Sequence, residues 1–385
     1  MDLGYSNTKL SNGTAAANVS TGSNGASRLR FVGVEDLGGG TKANFWLEMQ
    51  PSFQDGNISS SGLFNRGAWA GLSNTSLGEV RLGRMGTNTI DTVCDIDQQG
   101  CYTGYAGGGI LFSGQGAPGA QGSAWMAANP TRGGVAQYTG LNTAFSTTAV
   151  TASGTTAKVS ASTNGDPIND VQASSTGAVN QTNPNKFAAD STRYVRAIRY
   201  SLPTFVPGLG INATYAFGQT TALSGAPTGG HMGDSSGFDA NYVNGPLKLT
   251  AAYQKANADV AGGSNGELTT YGAIYNLGVA SIGAGIQSEK ADGSASVLKF
   301  KKADAFALTA LFPMGATTPY IKYGERKYAG GTDGNLTTAK VTNIGVRYAF
   351  SKNTYVYADY MQNSAALLAA TSVKEQTNIG LTTNF

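Results

Sequence analysis

The strand-like segments of this chain are joined alternately by tight turns and by long polar stretches, and that order restricts its fold more than any single motif. Tight turns fall at 35–40, 73–78, 203–208, 244–246, 276–278, 313–315 and 351–353. Each is a cluster of Gly, Pro, Asn or Ser that supplies a positive φ or a fixed bend. Between them run stretches rich in Gly, Ser, Thr, Asn and Asp, such as 218–236, 257–266, 288–300 and 329–338. Seven short turns and eight long loops connect sixteen antiparallel strands. Short connections on one side and long ones on the other describe an outer-membrane barrel.

Within the segments the side chains alternate with the period of a strand. Leu249, Ala251 and Tyr253 alternate with Lys248, Thr250 and Gln254, and Ile211, Ala213, Tyr215 and Phe217 with Asn212 and Thr214. Ile344, Val346, Tyr348 and Phe350 alternate with Asn343, Gly345 and Arg347. The final stretch, 377–385, puts Ile379, Leu381 and Phe385 on one face and ends on the aromatic ring. The first set in each strand is expected to face lipid, with Tyr and Phe anchoring the interface. A soluble β-sandwich alternates too, but its inward face is more aliphatic and its connections lack the strict short–long order.

A length of 385 residues suits one large barrel as well as it suits several small domains. Glycine is abundant (54 residues) and charge sparse (13%), yet 18 Tyr and 15 Phe argue against a disordered chain. No apolar run reaches the roughly 18 residues of a membrane-spanning helix. The net charge of +3, without a basic run, excludes a nucleic-acid partner. The opening segment, Met1-Asp2-Leu3-Gly4-Tyr5, is already strand-like, so the signal peptide that export requires is expected to have been removed or left out.

Bond-making chemistry finds little support. Gly38-Gly39-Gly40-Thr41-Lys42 lacks the spacing of a phosphate loop and sits in a hairpin. The sole histidine, His231, lies in a Gly-rich stretch near Asp234, without a nucleophile and oriented base around it. No cofactor and no transition-metal cluster is expected; calcium on loop carboxylates stays open. Cys94 and Cys101 are the only cysteines. In an oxidising compartment they would close a small disulfide loop worth roughly 2–3 kcal/mol; otherwise they are two thiols.

Several stretches resemble the trimeric general porins of Gram-negative outer membranes, in particular their β-proteobacterial branch. They are Ser27-Arg28-Leu29-Arg30-Phe31, Glu35-Asp36-Leu37-Gly38-Gly39-Gly40-Thr41-Lys42-Ala43, Phe45-Trp46-Leu47-Glu48 and Leu63-Phe64-Asn65-Arg66. Gly78-Glu79-Val80-Arg81-Leu82-Gly83-Arg84, Ile198-Arg199-Tyr200-Ser201-Leu202-Pro203-Thr204-Phe205, Asn244-Gly245-Pro246-Leu247 and the terminal Phe385 continue the likeness. Two departures stand out. The family's first strand begins several residues earlier, and about a hundred residues separate Gly83 from the strand near Ser191. The extra length, roughly 120–190, is either an irregular loop or carries a hairpin near 135–145.

The resemblance implies one all-β domain over 1–385, a 16-stranded antiparallel transmembrane β-barrel with short periplasmic turns and long extracellular loops. Its third loop, with the insertion about 86–190, would fold into the lumen and narrow it. That loop carries Asp91, Asp95 and Asp97 beside the Cys94–Cys101 pair, whose disulfide would hold the loop in one shape. Basic residues of the facing wall would set ion preference: by motif, Arg28, Arg66 and Arg193, with Arg30, Lys42, Arg81 and Arg196 as further members. Clustered guanidiniums in a confined lumen concentrate anions; a purely structural role, pairing with loop acids, is compatible. The implied activity is passive, mildly anion-selective diffusion of small hydrophilic solutes, not catalysis. A porin biased toward small organic acids, or a barrel serving as an adhesin, are the alternatives. The implied partners are two further copies in a homotrimer, with the second loop (Phe53, Asp55, Asn57) reaching a neighbour. Outer-membrane lipid and lipopolysaccharide, small anionic or neutral solutes, and the barrel-assembly machinery that reads Phe385 complete them.

Overall fold

The computed structural model of the chain describes residues 1–10, 13–21, 24–56, 63–98, 150–152, 155–157, 172–173, 179–180, 193–218, 234–257, 265–291, 302–329, 338–363 and 373–384. Six strands come first: β1 (Asp2–Leu10), β2 (Ala15–Thr21), β3 (Leu29–Gly38), β4 (Thr41–Met49), β5 (Gly67–Asn74) and β6 (Gly78–Gly86). The helix α1 (Asn88–Asp97) follows, then four very short strands, β7 (Val150–Ala152), β8 (Thr155–Ala157), β9 (Gln172–Ala173) and β10 (Val179–Asn180). The remainder is β11 (Arg193–Ser201), β12 (Leu209–Ala216), β13 (Ser235–Asn244), β14 (Leu247–Ala256), β15 (Gly266–Asn276) and β16 (Ser281–Ala291). β17 (Lys302–Leu311), β18 (Thr317–Ala329), β19 (Thr338–Ala349), β20 (Thr354–Asn363) and β21 (Val373–Thr383) complete it.

Seventeen of these strands form one antiparallel sheet. Its ladder runs from β3 through β4, β5 and β6 to β11, then strand by strand to β21, β1 and β2. The two ends of the chain therefore meet in the sheet: Asp2 stands opposite Thr382, and the Met1 ammonium donates to Thr383 O at 2.7 Å. All seven short connections occur where the sequence places them. At the turn after β13, Gly245 adopts φ 54°, a left-handed conformation suited to an Asn-Gly pair joining antiparallel strands.

The strand count is one higher than the sixteen expected, and the extra strand is β2. Ala15–Thr21 carries no apolar–polar alternation, so no face marked it in the sequence. Its backbone groups are nonetheless satisfied by β1, in register from Leu3↔Thr21 to Lys9↔Ala15. The segment leading on to β3 is tied to the start of β1 by Asp2, whose carboxylate accepts from Asn24 N and Gly25 N, each at 2.7 Å, and from Tyr357 Oη at 2.9 Å. The long insertion does carry hairpins, β7–β8 and β9–β10. The expected hairpin position, 135–145, lies outside the described residues.

Burial is inverted relative to a soluble domain. Val34, Phe238, Ile286, Ile344, Phe350 and Ile379 are exposed, as are most large apolar side chains of the strands. Glu48, Arg66, Gln254, Glu289, Lys322, Arg326 and Asn378 are buried. Polar atoms inside and apolar ones outside are what a wall between lipid and an aqueous lumen requires. The lipid-facing sets read from alternation in β12, β14 and β19 all lie on that outer face.

Candidate functional site

Two structures face into the lumen: an arginine-rich arc on β3–β6 and the helix α1, which rests on the other arc of the sheet. The first is built by strand parity. In β3, Arg30 is opposite Glu48 of β4, and Trp46 of β4 is opposite Trp69 of β5. Glu48 is the hub. Its Oε1 takes Arg66 Nε at 2.8 Å and lies 3.8 Å from Arg28 Nε, while Oε2 takes Arg30 Nη2 at 2.8 Å. Arg66 also donates to Gln50 Oε1 at 2.8 Å. Three guanidiniums thus share one carboxylate, and the group keeps an excess of positive charge.

A tryptophan pair continues this arc. The rings of Trp46 and Trp69 are stacked, with centroids 6.1 Å apart. Arg30 lies over the outer face of one at 3.9 Å and Arg81 over the other at 4.5 Å. Arg81 stands directly opposite Arg199 of β11. Arg199 is almost fully buried, donates to Thr214 Oγ1 at 2.9 Å and to Gly86 O at 2.6 Å, and lies 3.6 Å from Asp91.

The stretch expected as the start of an inward loop is helical. Thr87 caps α1, accepting from Ile90 N at 3.3 Å, and Asp91 occupies the first turn, where the helix dipole favours a negative charge. The helix lies on β13–β17: Thr250 Oγ1 donates to Thr92 Oγ1 at 3.0 Å, and Thr309 Oγ1 to Ile96 O at 2.9 Å. Ile96 packs over Gly272, where an added Cβ would come within 2.5 Å of its Cγ1. Gln98, in the left-handed region, ends the helix and donates to Thr309 Oγ1 at 2.7 Å.

The helix acids pair with the wall they sit on. Asp91 is next to Arg199, Asp95 takes Lys248 Nζ at 2.6 Å, and Asp97 is paired with Lys322, both fully buried. Burial pushes the Asp95 and Asp97 carboxyls up, against the opposing pull of Lys248 and Lys322. Beyond them Arg326 is paired with Glu289 and donates to Gln287 Oε1. Each helix acid, and Glu289, is thus paired with a wall cation, whereas the buried Asp239 of β13 is held by the amides of Asn88 and Asn212.

Of the basic residues proposed from sequence, Arg28, Arg30 and Arg66 are brought together by Glu48, and Arg81 joins them through the tryptophans. Arg193 is placed elsewhere, opposite Gly86 at the root of α1. Arg196 occupies a bulge with φ 52°, is exposed and donates to Phe217 O. Lys42, opposite Asp36, lies near the short turn at the far end of β4 from Glu48. Cys94 is disulfide-bonded; Cys101, Phe385, Asn57 and His231 lie outside the described residues. Arg199, Lys248, Lys322 and the stacked tryptophans were missed. The signal for Arg199 was present, since it shares strand phase with Ala197 and Ser201 against outward Ile198 and Tyr200.

The Gram-negative porin family matches residues 1–365. Outer membrane porin protein 32 of Delftia acidovorans is 52% identical over 65 residues, which is 16% of this chain and 18% of that relative's length. The chain thus matches less than a fifth of that curated relative. Among solved structures, the anion-selective porin from Comamonas acidovorans superposes with a TM-score of 0.63 at 23% identity, covering 100% of this chain and 98% of the other. Salmonella typhi OmpF, in complex with daunomycin, gives 0.61 at 15% identity, covering 100% and 96%. These likenesses are to the fold.

Proposed function

The chain belongs to the Gram-negative porin family, and from that premise we propose that it forms an anion-preferring channel for passive diffusion of small hydrophilic solutes across the outer membrane. The observation that carries the selectivity is the sharing of Glu48 by Arg28, Arg30 and Arg66. Each helix acid has one wall cation, whereas here three guanidiniums share a single carboxylate, which leaves this group with a local excess of positive charge. In a lumen of reduced dielectric such an excess lowers the barrier for anions and raises it for cations. α1 narrows the passage and is held by its ion pairs and the hydroxyls of Thr250 and Thr309. The chain catalyses no reaction, and it assembles as a homotrimer, the state that its resemblance to trimeric porins implies. The test is a planar bilayer under a potassium chloride gradient. A reversal potential on the chloride side supports the proposal, and one on the potassium side refutes it.

A second reading, a channel biased toward small organic acids, is favoured by the Arg30–Trp46–Trp69–Arg81 stack. The guanidiniums at the two ends of the stack offer charge to a carboxylate, and the half-buried indole edges offer apolar contact to an aromatic acid. Millimolar benzoate should then reduce chloride conductance, whereas acetate at the same concentration should not.

A further inference from the structure

Two exposed valines of β3 stand apart from the inversion of burial, because they face the lumen rather than the lipid. Across the β3–β4 ladder Arg30 is opposite Glu48, Val32 opposite Trp46, Val34 opposite Asn44 and Asp36 opposite Lys42. Alternate residues of a strand share one face, so all eight side chains lie on the same side of the sheet. That side is the inner one: Trp46 stacks on Trp69, Arg81 lies over Trp69, and Arg199, opposite Arg81, reaches Asp91 of α1. The intervening Phe31 and Gly33 take the outer face, where the Phe45 ring fills the space over Gly33.

Val32 is 53% exposed and Val34 64%. With the half-buried indoles of Trp46 and Trp69 they make an apolar stripe in a wall that is otherwise polar, and an apolar patch rimmed by polar groups marks a place for a ligand. From Arg30 to Val34 the stripe follows four residues of strand, about 13 Å. One end of it is cationic. The Arg30 side chain is 40% exposed and that of Arg28 35%, whereas Arg66 and Glu48 are buried. A solute in the lumen therefore meets guanidinium first and valine next to it.

We propose that this face of the lumen favours carboxylates with an unbranched apolar tail over hydroxylated anions of the same length. The carboxylate rests at Arg28 and Arg30, and the tail lies along Val32 and Val34 beside the edge of Trp46. An aromatic ring is not required. The indole faces are occupied by one another and by Arg30 and Arg81, so what remains for a solute is methyl groups and ring edges, which suit a methylene chain. Only one side of the tail meets the wall, which keeps the contact weak enough for the solute to leave again, as conduction requires. This inference deepens the organic-acid reading and rests on the channel preferring anions.

The test is block of chloride current through planar bilayers at neutral pH by hexanoate, compared with gluconate, which has six carbons and hydroxyls along its length. Hexanoate is expected to halve the current at a concentration at least fivefold lower than gluconate. Val32→Ser with Val34→Ser should raise the hexanoate concentration needed at least fivefold, while the reversal potential in a potassium chloride gradient stays on the chloride side. Val346→Ser, on the outer face, should leave the block unchanged. Val32→Cys reads whether the stripe is open to solutes or covered by another part of the chain: it should react with an anionic methanethiosulfonate, and hexanoate should slow the reaction. Equal block by the two anions, wild-type block of the double serine variant, or an unreactive Val32→Cys variant overturns the proposal, and a chloride-side reversal potential then leaves the anion preference standing. A wild-type reversal potential on the potassium side overturns both.

Discussion

Glu48 and Arg66 face each other across the inner surface of the sheet, Oε1 to Nε 2.8 Å apart, and both are almost wholly removed from solvent. Arg30 and Arg28 complete the group from more exposed positions. Glu48→Gln keeps the shape and deletes the only negative charge among them. Anion preference should rise, read as a reversal potential nearer the chloride limit. The barrel should also unfold at lower temperature, because Arg66 stays buried without its counter-charge and breaking a buried pair costs about 3–5 kcal/mol. Unchanged selectivity would mean that the group does not sense the ion path.

Lys322 and Lys248 both hold α1, but from different environments. Lys322 and Asp97 are buried, while Lys248 and Asp95 are each about a third exposed. Lys322→Met should therefore loosen the helix far more than Lys248→Met, whose partly exposed pair contributes about 0–1 kcal/mol. Single-channel recordings give the readout: flickering, widened current levels for Lys322→Met and near-native traces for Lys248→Met.

At Gly272 the helix approaches the wall too closely for a side chain. Gly272→Val should push Ile96 and α1 toward the lumen axis and reduce single-channel conductance, with the strand content of the circular dichroism spectrum unchanged. Wild-type conductance would place the helix away from the ion path.

Acidification should strengthen anion preference. Burial raises the carboxyls of Asp95 and Asp97, so they take up protons above the ordinary value of about 4. Between about pH 7 and pH 4 the lumen gains positive charge. The sign for stability is the same: protons bound more tightly in the folded chain favour folding as pH falls. Asp95→Asn with Asp97→Asn should be more anion-selective at neutral pH and less pH-dependent across this range than the wild-type chain.

The barrel was legible because a membrane forces the same two-residue pattern on nearly every strand and the same short–long order on every connection. Ile211 to Phe217, Leu249 to Tyr253 and Ile344 to Phe350 all took the face that alternation assigns. β2 was not legible, since Ala, Asn, Ser and Thr without alternation look like loop until a neighbouring backbone pairs them. The arginines of β3 to β5 followed from motif and parity, but their convergence on Glu48 depends on cross-strand register, which composition does not carry. Arg193 and Arg196 diverged from that group because a bulge between Tyr194 and Ala197 shifts the phase of β11. Lys248 and Lys322 lie more than a hundred residues from the helix acids they hold, and local sequence gives no sign of such partners.

The most direct test of the selectivity mechanism is the zero-current potential across a planar bilayer in a potassium chloride gradient, before and after Arg28, Arg30 and Arg66 are all changed to Gln. The wild-type chain should reverse on the chloride side, and the triple variant, with Glu48 then unopposed, should shift toward the potassium side. Equal potentials for the two, with the variant folded and conducting, would contradict the assignment of selectivity to these arginines.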